Sequence, residues 1–172
     1  MKVRAAQVST VVDNIRRVFQ VLTEQSKKIE SETELTGPQL WTIKILNENS
    51  PMKVSELAGK MYLHPATMVG LLDRLEMKGL VTRTRSDQDR RVVFIDLTDL
   101  ARRIVMNSPE VVQVMLVKGL ENLSDQKLKK ASEGLQMIVD ILGAKELPPK
   151  LIMSTEINFP KRTRKKTAAL SE

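Results

Sequence analysis

Apolar residues recur along the chain at two different periods, and the changeover between them organises the sequence. Val8, Val11, Val12, Ile15, Val18, Phe19, Leu22 and Ile29 fall three, four or seven apart, which predicts a long helix with one apolar stripe over residues 8–29. Thr36-Gly-Pro-Gln39 has the composition of a capping box, with Thr36 as N-cap and Gln39 at the third helical position. The helix it opens carries Leu40, Trp41, Ile43, Ile45 and Leu46 and is expected to end near Asn49-Ser-Pro51. A third helix is predicted over Val54–Met61, with Leu57, Ala58 and Met61 inward. After a break at Tyr62-Leu-His64, Pro65 stands where a first helical position tolerates proline. This fourth helix, with Met68, Leu72 and Leu75 inward, reaches Lys78 and stops at Gly79, suited to a C-terminal turn.

The period then shortens to two. Leu80–Arg85 and Arg91–Leu97 predict two strands, the second placing Val93, Ile95 and Leu97 on one face. The polar Ser86-Asp-Gln-Asp-Arg90 between them is turn-forming, so a hairpin directly follows a helix pair. Helical spacing returns over Thr98–Leu123, where Pro109 must start, end or kink a helix. It continues over Ser124–Leu142, with Ser124 as cap and Leu128, Ala131, Leu135, Ile138, Val139 and Leu142 apolar. Beyond Gly143, Pro148-Pro149 breaks structure and Lys161-Arg-Thr-Arg-Lys-Lys166 is a basic run of the kind found in tails.

Composition narrows the function classes. The 172 residues suffice for one core without covalent staples. Cysteine is absent, which excludes a disulfide framework, a thiolate metal site and a thiol redox switch, and fits a reducing cytoplasm. His64 is the only histidine, and no run approaches the ~18 apolar residues of a membrane span. Met1-Lys2-Val3-Arg4 leads into a stretch broken by Gln7, Ser9 and Thr10, and reads as the start of a helix, not a signal peptide. A soluble, cytoplasmic protein is expected. The net charge of +7 is concentrated in residues 53–91 (+3) and 145–172 (+4). A localised basic surface is the footprint of a polyanion partner, although a solvated basic face has the same composition.

Two short helices joined by a tight turn, then a basic hairpin, form a winged helix-turn-helix. A helix fits the major groove, where base edges are distinguishable, and a thin Arg-bearing ribbon reaches the narrow minor groove. In this region the chain resembles the MarR family of bacterial transcription regulators. The resemblance rests on Val54-Ser-Glu-Leu-Ala58, on Thr67-Met-Val-Gly-Leu-Leu-Asp-Arg-Leu-Glu-Met-Lys-Gly-Leu-Val81, on Arg83, on Asp89-Arg-Arg91 and on Val92–Leu97 followed by Thr98. It implies a mainly α fold with a small β-hairpin wing. The expected organisation is an N-terminal dimerisation helix (1–35), the winged helix-turn-helix (36–100), C-terminal dimerisation helices (101–143) and a basic extension (144–172). Family members are homodimers whose two lobes straddle a pseudo-palindromic site on double-stranded DNA. The expected activity is therefore sequence-specific transcriptional regulation with no cofactor, as a repressor where the dimer occludes a promoter or as an activator where it displaces another repressor.

Residue roles follow from these positions. His64, Pro65, Ala66, Thr67 and, one turn later, Gly70 are expected to face the major groove, with Thr67 the best polar contact. His64 either caps the helix or touches a phosphate. Arg74 either reaches the DNA backbone or pairs with a carboxylate. The resemblance implies that Asp89 orients Arg91 for the minor groove, while Arg83, Arg85 and Arg90 attract phosphates. It also implies a small aromatic or phenolic effector at the junction between lobe and dimer helices, for which Trp41 and Tyr62 are candidates; the helical spacing of Trp41 with Ile45 fits core packing better. Two departures stand out. Val69-Gly70 replaces larger polar residues of the family's recognition helix, which thins direct base readout, and residues 144–172 extend beyond it. In the extension, Leu147–Phe159 is expected to dock and Lys161–Glu172 to stay loose, either adding phosphate contacts or serving as a plain tail. An enzyme is not expected: the seven glycines form no phosphate loop and His64 with Asp73 is the one acid–base pair. The competing readings are a winged-helix protein-interaction module, against which Arg90-Arg91 argues, and a non-specific architectural DNA binder.

Overall fold

Local signals in the sequence set most of the element boundaries. The computed structural model describes residues 2–89, 92–154 and 158. A 32-residue helix, α1 (Lys2–Thr33), leads into α2 (Gly37–Asn49). The Thr36 hydroxyl accepts from the Gln39 N–H at 3.4 Å and the Gln39 side chain accepts from the Thr36 N–H at 3.2 Å, so the expected capping box is formed. A two-residue strand β1 (Met52–Lys53) precedes α3 (Val54–Lys60) and α4 (Pro65–Met77). Strands β2 (Val81–Arg85) and β3 (Val93–Leu97) form the hairpin, and α5 (Asp99–Met106), α6 (Val112–Glu121) and α7 (Asp125–Ile141) complete the order. No helix among the described residues is long and apolar enough to cross a membrane.

The three strands form an antiparallel sheet in the order β1-β3-β2, with Met52 and Arg83 both opposite Ile95. Strand β1 adds to the two strands predicted: two residues carry no alternation to read, and pairing with β3 creates the strand. The core lies between this sheet and the inner faces of α2, α3 and α4. It contains Leu40, Ile43, Leu46, Leu57, Met68, Leu71, Leu72, Leu75 and Ile95, all fully buried.

The turn between α3 and α4 closes with two backbone bonds, Leu63 N–H to Ala58 O at 2.9 Å and Tyr62 N–H to Gly59 O at 3.1 Å. This is the paired C-terminal turn that needs one left-handed residue, and Tyr62 supplies it at φ 54°. The same arrangement ends α4, where Gly79 takes φ 67° and the Leu80 N–H bonds Leu75 O at 2.9 Å. Leu80 therefore belongs to this turn and β2 begins one residue later than predicted. The single stretch foreseen over Thr98–Leu123 is two helices, with Pro109 in the break between them. Helix α5 packs on α2 and buries Ala101.

The helices outside the lobe are different in kind. Along α1 only Ile29 is buried, while Val8, Val11, Val12, Val18 and Phe19 are exposed, Phe19 by 63%. Helix α7 has no buried residue among those described.

Candidate nucleic-acid interface

Helix α4 turns Met68, Leu71, Leu72 and Leu75 into the core and leaves Ala66, Val69, Asp73 and Arg74 outside. Pro65 at the first helical position fixes that phase. His64, Pro65 and Ala66 are exposed at the entry to the helix, and Gly70 lies half-buried one turn on. A Cβ added at Gly70 would meet nothing within 4 Å, so no internal contact excludes a side chain there.

Thr67 departs from the expectation. It is buried, and its hydroxyl donates to Asn158 Oδ1 at 3.2 Å. The reason is rotational: with Met68 and Leu71 directed inward, Thr67 falls at the edge of the buried stripe, and the C-terminal segment covers it. The capping role considered for His64 is also taken by another residue. His64 occupies the N-cap position without a side-chain cap bond, and its backbone N–H donates to Asn158 Oδ1 at 3.0 Å. One carboxamide oxygen thus serves both ends of the first turn.

Arg83 on β2 is tied to α4. Its guanidinium bonds Asp73 at 2.6 Å and Glu76 at 3.4 Å, and donates to Val69 O at 3.4 Å. The expected phosphate-attracting residue instead clamps the wing to α4, because its position opposite Ile95 points it back across the helix. Arg74 and Arg85 are exposed. At the wing tip, Ser86 Oγ accepts from the Gln88 and Asp89 N–H groups at 3.3 and 3.4 Å, and the Ser86 N–H bonds Val92 O at 3.0 Å. Asp89 is exposed on this turn; Arg90 and Arg91 lie outside the described residues.

Trp41 and Tyr62 meet at one cavity of about 510 Å³ between α2, the α3–α4 turn, α5 and α6. Trp41 is mostly core and shows it only an edge, whereas Tyr62 is exposed. The Tyr62 hydroxyl donates to Glu121 Oε1 at 2.5 Å, and this bond holds the phenol pKa above its ordinary value, with slight desolvation and the Glu121 charge acting in the same direction. Lys44, Lys60 and Lys118 also line the cavity.

Sequence reasoning missed two residues. Gln113 on α6 is buried, and its Nε2 donates to Ile152 O at 3.1 Å. Asn158 caps α4 from 94 residues away. Neither carries a local signal, since a long-range cap has no characteristic spacing.

Comparison with known proteins places this geometry. Residues 35–93, which hold α2 to the wing, match the model of the MarR family. The chain is 36% identical over 105 residues to YfiV of Bacillus subtilis, an HTH-type transcriptional regulator, covering 61% of this chain and 66% of that one. It is 32% identical to the HTH-type transcriptional regulator MgrA of Staphylococcus aureus, over 70% of this chain and 80% of the relative. Among solved structures, Streptococcus pneumoniae FabT in complex with DNA superposes with a TM-score of 0.53 at 22% identity, over 79% of this chain and 97% of FabT. Family model, relatives and fold agree, and the chain belongs to the MarR family of transcription regulators.

Proposed function

We propose that the protein is a homodimeric repressor that binds a pseudo-palindromic operator, with α4 in the major groove and the wing against the adjacent minor groove. The observation that carries this reading is the split character of α4. Its inner face is locked in the core, while His64, Pro65, Ala66 and Gly70 leave an open, side-chain-poor approach on the other. That face suits close contact with a groove floor. Arg74, Arg85 and the wing residues Asp89, Arg90 and Arg91 are assigned to the backbone and the minor groove. Arg83 holds the wing at its angle, and Thr67 supports the first turn. The exposed apolar stripe of α1 supports the dimer. The cavity at Tyr62, where Lys44, Lys60 and Lys118 are balanced by Glu48, Glu110 and Glu121, is assigned to a small aromatic or phenolic effector.

The test is selection from a random duplex pool at about 150 mM salt, where the sequence-independent term is already weakened. Recovery of a pseudo-palindrome with half-sites ~10–10.5 base pairs apart is expected. Strong binding without enrichment would mean an architectural role, and no binding would return the wing to a protein-interaction surface.

A further inference from the structure

Beyond α7 the chain returns to the winged lobe and reaches the start of α4. Leu151 joins the core. The Ser154 N–H bonds Leu151 O at 3.1 Å, and Ile152 O accepts from the Gln113 amide at 3.1 Å. Gln113 itself fills the space over Gly37; a Cβ on that glycine would stand 2.7 Å from the Gln113 amide nitrogen. The Asn158 N–H bonds Pro149 O at 2.8 Å, and its carboxamide oxygen accepts from the His64 N–H at 3.0 Å and the Thr67 hydroxyl at 3.2 Å. Thr67 is buried there, although Ala66 beside it is open to solvent.

Two kinds of fastening are at work. At Leu151 and Gln113 the chain is held by burial in the lobe. At α4 it is held by one neutral oxygen and two hydrogen bonds, each worth only a few-fold in an equilibrium once exchange with water is counted. The contact at α4 is therefore the one that opens first, and Leu151 and Gln113 keep their places when it does. It also lies where DNA must come. The N-terminal residues of a groove-seated helix are those that meet the base edges. A helix about 10–12 Å across with its side chains fills a major groove about 12 Å wide. Another stretch of chain fastened to the first turn of that helix has no room beside it.

We propose that Asn158 is an autoinhibitory latch on α4: closed, it holds the His64 N–H and the Thr67 hydroxyl, and it must let go before the first turn of α4 enters the major groove. The proposal rests on α4 being the groove-binding helix. On opening, the two donors pass to water or to DNA, so no buried group is stranded. Apparent affinity is the intrinsic affinity reduced by the open fraction, and weakening the latch therefore tightens binding.

The experiment has two arms, both on the full chain and a duplex recovered by selection from the random pool. In the first, the parent and Asn158→Ala are titrated by fluorescence anisotropy across a salt series. Losing two neutral hydrogen bonds should tighten binding by roughly five- to thirty-fold. The slope of log K against log salt should stay the same, because no charge changes. Weaker or equal binding by Asn158→Ala overturns the proposal, since Asn158 would then support the helix or touch the DNA. A changed slope overturns it as well. The second arm needs no variant and decides the matter if Asn158→Ala fails to fold. Amide hydrogen exchange, resolved to single residues, is measured on the parent with and without saturating duplex. The first-turn amides of α4 should gain protection while the Asn158 amide, released from Pro149 O, loses it. Protection gained or kept at Asn158 while α4 is covered overturns the latch alone. Failure of the duplex to protect α4 removes the groove assignment itself, and the latch with it.

Discussion

Gly70 sits in the interior of α4, where a glycine costs about 0.8–1.0 kcal/mol relative to alanine. Nothing in the packing asks for that cost, because a Cβ there would enter open space. The contrast with Gly37, where Gln113 fills the place of a side chain, separates a glycine set by the fold from one set by what approaches from outside. Gly70→Ala is therefore expected to stabilise the protein by about 0.5–1 kcal/mol while weakening operator binding. Thermal unfolding and anisotropy titration of the same sample check both. A gain in stability with unchanged affinity would show that DNA does not come close to this face. Arg83 illustrates the limit of reading one residue at a time. Its type and place on the wing suggest phosphate, but strand register aims it at Asp73 and Glu76.

At the scale of elements, Asp96 joins three of them. Its carboxylate accepts from the Ser50 hydroxyl at 2.6 Å at the end of α2, from the Leu97 N–H at 2.7 Å on β3, and from Arg102 at 3.2 Å on α5. The Ser50 bond is the main cause holding its pKa below the usual carboxylate value, with the Leu97 N–H and the Arg102 charge adding to it and slight burial opposing. A depressed folded pKa contributes stability that is present above the unfolded value of about 3.9 and lost as pH falls through the folded value. Asp96→Asn is expected to lower stability at pH 7 by about 1 kcal/mol, reduced from a fully buried case by exposure. The gap to the parent should close on acidification below the unfolded value. Melting curves at pH 7 and pH 3 decide it, and an equal gap at both would mean that shape, not charge, holds the junction. Much of this level was legible in the sequence. The capping box at Thr36, Pro65, Gly79 and the alternation of Val93, Ile95 and Leu97 act through neighbours a few residues away, and each appears where its spacing placed it. What escaped is what acts at a distance: β1 exists only through its partner strand, and Asn158 meets α4 only once the chain has folded.

For the whole molecule, the winged lobe and the flanking helices obey different rules. The lobe closes its own core, whereas α1 and α7 present Val12, Phe19, Leu135 and Ile141 to solvent in a single chain. Exposed apolar stripes of that kind mark association sites, and a closed two-fold dimer would bury the same stripe on both protomers. Phe19→Glu combined with Leu135→Glu places charges on that surface without touching Ile29, Leu40 or any other member of the lobe core. Analytical ultracentrifugation at micromolar concentration is expected to show a dimer for the parent and a monomer for the variant, with the lobe still folded by circular dichroism. Because two linked lobes gain roughly 10²–10⁴-fold in avidity over one, the monomer should lose at least about 100-fold in operator affinity while keeping weak half-site binding. Persistence of the dimer would place the interface elsewhere on these helices. Loss of dimerisation with operator affinity unchanged would mean that one lobe reads the site alone, and that the exposed stripe serves assembly without serving recognition.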